Sequence, residues 1–167
     1  TQSPQAIEFL YELHRQNIES IGGLPKERDF FERLSLHMLK EEWQIYTAKK
    51  DGRDIAALLL FYYNNTVEYF TPAIDADHRN KQPLALIIFN AMSDALSLGM
   101  KRWNWGGTWL SQKGVYDFKK RWNARDLPYF YFTRIFNNEV FSQSKEFFLN
   151  EYKGFYVVPF SNIREKS

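Results

Sequence analysis

The chain has 167 residues, 44% of them hydrophobic and 18% aromatic, with a net charge of +2 and no cysteine. That composition suits one domain with a full core and excludes a disordered chain, while the missing cysteine excludes disulfides, thiolate-bound metals and a cysteine nucleophile. No apolar run approaches the ~20 residues of a membrane helix, and no basic-then-apolar leader opens the chain, so a cytoplasmic domain without membrane insertion is expected.

Ser3-Pro4 is a strong helix start, with serine as N-cap and proline in the first turn. Ile7, Leu10, Tyr11, His14 and Ile18 follow at helical spacing until Gly22-Gly23. His14 lies on that stripe and reads as a core histidine rather than a catalytic one. After Leu24-Pro25, Asp29 and Glu32 form a capping-box pattern for a second helix ending near Leu39, with Phe30, Leu34, Leu36 and Met38 inward. His37 reads as peripheral.

From Trp43 the period becomes that of strands, over about Trp43 to Lys49, Arg53 to Tyr63 and Thr66 to Ala73. Asp51-Gly52 and Asn64-Asn65 suit two-residue hairpins, because both pairs tolerate positive φ. The apolar run from Ile55 to Phe61 predicts a central strand covered on both faces. A polar stretch, Asp75 to Gln82, then leads into a helix from Pro83 to Leu98. A strand from Lys101 to Trp105 completes a βαβ unit. Ligands of such sheets favour the carboxyl ends of the parallel strands, where the Asp75–Gln82 loop and the corner at Gly106, Gly107 and Thr108 converge.

Trp103 and Trp105 share one strand face and Asn104 takes the other. A short helix through Tyr116 and Lys119 follows. Between Lys101 and Arg125 stand seven basic residues and one acidic residue, a local +6 against −4 for the rest of the chain. Such a patch fits an anionic ligand, or equally a solvated helix face. Beyond it, Leu127 to Phe136 alternates as a strand, Ser142 or Ser144 caps a last helix, and Phe155 to Phe160 reads as a final strand. One domain, 1–167, is expected, with no repeat and no linker. No metal-ligand spacing and no serine-histidine-carboxylate arrangement stands out.

The run WNWGGT, then GVYDFKKRW and NA, resembles the second half-domain of the Fem-type peptidoglycan aminoacyl ligases, which are built from GNAT-fold acyltransferase domains. The matching elements are Gly106, Gly107 and Thr108, then Phe118 and Lys119, then Trp122, Asn123 and Ala124. The resemblance implies an α+β, GNAT-like fold with a mixed, mostly antiparallel sheet of six or seven strands and helices on both faces. It also implies acyl or aminoacyl transfer to an amine of a cell-envelope or polysaccharide precursor, either a small molecule or nucleotide-linked. The co-substrate would be acyl-CoA, acetyl-CoA among them, or aminoacyl-tRNA, whose acceptor end the domain would then meet. Fem-type proteins pair two such domains, so the implied partners are a second GNAT-like domain or a further copy. The alternative is a catalytically silent half-domain that binds a precursor or protein.

Acyl transfer to an amine needs a proton acceptor and a stabilised oxyanion, but no covalent nucleophile. On the Phe-Lys match, Lys119 is the leading candidate for oxyanion or phosphate charge. Tyr116, one turn earlier, is a candidate to protonate the leaving group, or else a packing residue. Asp75 and Asp77 fit a proton relay less well than loop and cap roles. Arg79, Lys81, Gly106, Gly107, Thr108 and Lys120 are the candidates for donor binding. CoA-dependent GNAT enzymes carry a glycine-containing loop before the crossover helix; Arg79 to Ala85 has the arginine but no glycine, and Pro83 lacks an amide donor. Family members usually carry Asp where Asn104 stands.

Overall fold

The computed structural model describes residues 1–108, 112–130, 132–152, 158 and 163. They form two compact units, Thr1–Ala124 and Arg125–Ser167.

In the first unit, strands β1 (Trp43–Lys50), β2 (Arg53–Tyr63), β3 (Thr66–Ile74) and β4 (Arg102–Asn104) lie side by side in chain order. Both hairpins turn at the expected dipeptides, with positive φ at Asp51, Gly52, Asn64 and Asn65, whose backbone twist matches that of the strands they join. β2 is buried from Ile55 through Leu60 because helices cover both faces. On one face α1 (Pro4–Glu19) and α2 (Arg28–Glu32) pack over Ile45, Ala57 and Leu59; on the other, α4 (Pro83–Ser97) packs over Leu58, Leu60 and Val67.

The start of α1 is as expected, with Ser3 Oγ accepting the Ala6 N–H at 3.2 Å. His14 is buried, and its Nε2 accepts the Lys26 N–H at 3.2 Å. Burial, and then the Lys26 charge, hold the imidazole neutral with a pKa of about 4. The second helix differs from expectation. It divides at Arg33 into α2 and α3 (Leu34–His37), and Asp29, inside α2, accepts from Arg33 Nε at 2.7 Å instead of forming a capping box. Phe31, before the break, is the fully buried ring, and Leu36, after it, faces outward.

The βαβ unit forms as its sequence predicts, with α4 crossing between β3 and β4. The two strands are parallel and pair at three positions, Thr66 with Arg102, Val67 with Trp103, and Glu68 with Asn104. The polar loop before α4 is a 3₁₀ turn, Ala76–Lys81, handed on to Pro83 by Gln82 in the left-handed region. One irregularity in β3 was not foreseen. Leu60 faces Tyr69 and Leu59 faces Thr71, so Phe70 is the extra residue of a β-bulge.

The second unit holds a 3₁₀ turn, Asn138–Ser142, and α6 (Lys145–Glu151), capped by Ser144, one of the two serines expected for that role. Its core joins Phe148, Val158 and Ile163. The strand expected over Leu127 to Phe136 is absent among the described residues of that stretch, where Leu127, Phe130, Phe132 and Phe136 are exposed. Alternation assigns faces to a segment but supplies no partner ladder, and Pro128 removes a donor. The last expected strand, Phe155 to Phe160, lies outside the described residues apart from Val158. Among the described residues the sheet therefore has four strands, not six or seven.

Candidate active site

β3 and β4 run together for three residues and then part. Beyond Glu68 and Asn104, β3 continues through Tyr69, Phe70 and Pro72, whereas the other chain segment passes Trp105 into the Gly106-Gly107 corner. A cleft of about 600 Å³ occupies the fork. Its walls are those β3 residues, Leu84 at the start of α4, the glycine corner, and Gly114, Val115, Phe118 and Lys119 of α5 (Lys113–Arg121), with Glu68 at the point of divergence.

The walls come from both faces of the sheet. Tyr69, Leu84, Trp105 and Phe118 pack with the core beneath α4, and their rings meet at 5.1 Å for Tyr69–Trp105 and 6.1 Å for Trp105–Phe118. Phe70 packs with the core beneath α1 and α2, and Glu68, paired with Phe61, shares that side. The cleft is thus walled by side chains from both faces of the sheet.

Asn104 is the link between the strands and the corner. Its Nδ2 donates to Glu68 Oε2, and its Oδ1 accepts the Gly106 N–H at 3.0 Å. Gly106 has φ +67°, a conformation that side chains rarely adopt. From α5, Lys119 Nζ donates to Gly106 O at 3.2 Å, Gly107 O at 2.9 Å and Thr108 Oγ1 at 2.8 Å. An ammonium has three donors, so Lys119 fastens the corner to α5.

The two charged groups of the cleft are both shifted toward neutrality. Burial raises the Glu68 carboxyl above the usual glutamate range, against the Asn104 hydrogen bond and the Lys119 charge, which lower it. Burial likewise lowers the Lys119 ammonium, against the Glu68 charge. A partly desolvated carboxylate in an aromatic cleft is a stronger base than one in water.

Of the residues singled out in the sequence, Gly106, Gly107 and Lys119 line the cleft, and Thr108 joins them through Lys119. Tyr116, Lys120, Arg79 and Lys81 are not among its walls. The Lys120 ammonium lies 5.7 Å from the Tyr116 ring centre and donates to Ala124 O at 3.1 Å. Arg79 and Lys81 sit on the turn before α4, where Lys81 is brought beside Lys50, whose contact lowers its pKa. Asp75 caps that turn by accepting the Asp77 N–H at 3.0 Å, the loop role expected of it. Pro83 has no N–H and the Ala85 N–H goes to Gln82 O at 2.9 Å, so the first turn of α4 keeps few amides for an anion.

Glu68, Tyr69 and Phe70 of the cleft escaped the sequence reading. The available signal was a single carboxylate within the aromatic stretch Val67-Glu68-Tyr69-Phe70 of a strand feeding a βαβ crossover.

A second hollow, about 510 Å³, lies near the C-terminal end of α4. There Tyr46 donates to Asp94 at 2.9 Å, and burial pushes its hydroxyl pKa up.

Comparison with known proteins agrees with this fold. Several solved acetyltransferase structures share the fold. A probable acetyltransferase is 14% identical with a TM-score of 0.62, over 82% of this chain and 96% of that one. An acetyltransferase of the GNAT family from Staphylococcus aureus Mu50 is also 14% identical with a TM-score of 0.62, over 75% and 82%. The ribosomal-protein-alanine N-acetyltransferase from Brucella melitensis biovar Abortus 2308 is 12% identical with a TM-score of 0.58, over 78% and 94%. At these identities the likeness is one of fold, and no curated protein matches the sequence. Residues 1–120 match the family model of the acetyltransferase (GNAT) domain, and on that match the chain belongs to the GNAT acetyltransferase family.

Proposed function

We propose that this chain transfers an acyl group from an acyl thioester, of which acetyl-CoA is the simplest, to a primary amine within the cleft between β3 and β4. The observation that carries the reading is Glu68, a partly desolvated carboxylate at the fork of a cleft walled by side chains from both faces of the sheet. The thioester enters from the side of α4 and the amine from the side of α1 and α2. Glu68 takes a proton from the amine, directly or through water, as nitrogen attacks the carbonyl carbon. The carbonyl π electrons move to oxygen, and their return expels the thiolate, which is protonated from water. The bulge leaves the Phe70 backbone outside the regular β2 ladder, so its N–H is the candidate donor to the oxyanion. Lys119 holds the opposite wall in place through the glycine corner.

The phosphates of such a donor would be met by side chains, with Arg79, Lys81 and Lys120 as the candidates, more than by amides of α4. The same shortage of amides favours a second reading, in which the donor is an aminoacyl-tRNA whose acceptor end delivers the ester. A cell-envelope acceptor of the Fem type rests on the Gly106–Thr108 and Phe118–Lys119 motifs alone. An open cleft lined by the motif residues argues for catalysis over the silent half-domain.

The test is thiol release from acetyl-CoA with a panel of amines, with mass spectrometry of the products and Glu68→Gln as control. Acylated amine from the wild type and not from the variant supports the reading. Equal turnover by both would overturn the role of Glu68.

A further inference from the structure

Next to the cleft wall at Phe70, on the side of α1 and α2, stands a further charge. Lys26, in the loop between α1 and α2, places its Nζ 4.9 Å from the centre of the Phe70 ring. Phe70 is a cleft wall, and it packs with Phe30 at 5.7 Å and Phe61 at 4.7 Å on the face that Glu68 shares. The Lys26 side chain is half-buried, and among the described residues no carboxylate pairs with it. Its neighbour His14 is neutral and offers no counter-charge. Burial lowers the Lys26 ammonium, as expected where desolvation is not offset by an anion. A cation held over an aromatic ring beside a reaction cleft lacks one thing, which is an anionic partner from the substrate.

We infer that the acceptor amine carries an anionic group, a carboxylate or a phosphate, which Lys26 binds over the Phe70 ring while Glu68 receives the amine. This rests on the transferase reading above. Glu68 and Phe70 are two residues apart on one strand, roughly 7 Å between their Cα atoms where the strand is regular, and the Lys26 ammonium lies a further 4.9 Å from the Phe70 ring centre. Two recognition points carried by different residues of the strand suit an anion several bonds from the amine better than the carboxylate of an α-amino acid. The acceptor is thus a long zwitterion, an ω-amino acid or an amino-sugar phosphate by chemical class. Neutral amines and polyamines fit this face poorly.

The experiment uses matched acceptors with one acyl donor: glycine, 4-aminobutanoate and 6-aminohexanoate, each beside its carboxamide, and glucosamine beside glucosamine 6-phosphate. The wild type should favour the longer acids over their amides and the phosphate over the free sugar, by about ten- to a hundredfold in kcat/KM, the worth of a hydrogen bond to a charged group. Lys26→Gln should remove that preference by raising KM for the anionic acceptors, with kcat and the neutral acceptors little changed. Lys26→Arg should restore part of it. Equal use of acids and amides by the wild type, or equal loss on all acceptors in Lys26→Gln, overturns the inference and leaves the transferase reading standing. Acylation of no acceptor by the wild type overturns both.

Discussion

Asn104 hydrogen-bonds both Glu68, the residue opposite it on β3, and the Gly106 N–H, so one amide side chain ties the base to the corner that bounds the cleft. Asparagine can do this because it presents a donor and an acceptor together; aspartate at the same place would present acceptors only. Asn104→Asp would set two carboxylates face to face, and the second charge would drive the Glu68 pKa further up. The expected result is an acidic limb of the pH–rate profile moved to higher pH. Carbon NMR of the labelled Glu68 carboxyl should show the same move without turnover.

Glu68→Gln should lower kcat by about two to four orders of magnitude, the usual worth of a positioned general base, with donor binding retained. Stability should go the other way. A folded-state pKa raised above the unfolded value makes a contribution that is fully present below the unfolded pKa and lost as pH rises through the folded one. The wild type therefore carries a charged, partly desolvated Glu68 at neutral pH that the variant lacks. Thermal melts should place Glu68→Gln at or above the wild type near pH 7, and the difference should close as pH falls below the ordinary glutamate range.

Lys119→Ala removes three hydrogen bonds from the Gly106–Thr108 corner. On a partly exposed site these are worth about 1–2 kcal/mol in all. Turnover should fall more steeply than that stability change, because the wall facing Glu68 loses its fastening. Lys119→Arg should rescue little, since a planar fork cannot address three acceptors clustered around one compact ammonium. Single-turnover rates and melts on both variants check this.

Tyr116→Phe should change kcat by less than about threefold and stability by no more than about 0.5 kcal/mol, since the ring is half-exposed on α5 and not among the cleft walls. A loss of tenfold or more would return Tyr116 to the reaction.

Much of the framework was legible in the sequence because its signals are local. The hairpin dipeptides, the Ser3 and Ser144 caps and the shared face of Trp103 and Trp105 each depend on a few adjacent residues, and each is found. The glycine corner was legible as a turn, and Lys119 as a cation near it, but not the hydrogen bonds that join the two. What escaped depends on partners distant in sequence. Glu68 reads as the solvent side of an alternating strand until its position at the fork with β4 is known. The Phe70 bulge is a count of one strand against another, which no single strand reveals. The Leu127–Phe136 alternation shows the converse, a strand pattern for which the described residues offer no ladder.

The three-residue junction between β3 and β4 makes the two walls of the cleft unequal in mechanical terms. β3 is sewn along its length into the buried β2, whereas among the described residues the β4 ladder pairs only with Thr66, Val67 and Glu68. Local opening begins where few ladder bonds must break, so the β4 amides should exchange with solvent well before those of β2. A ligand bridging the fork would restrain that loose side most. Its first visible trace in hydrogen exchange would then be slowed exchange in β4 and the corner after it, with the rest of the sheet almost unchanged.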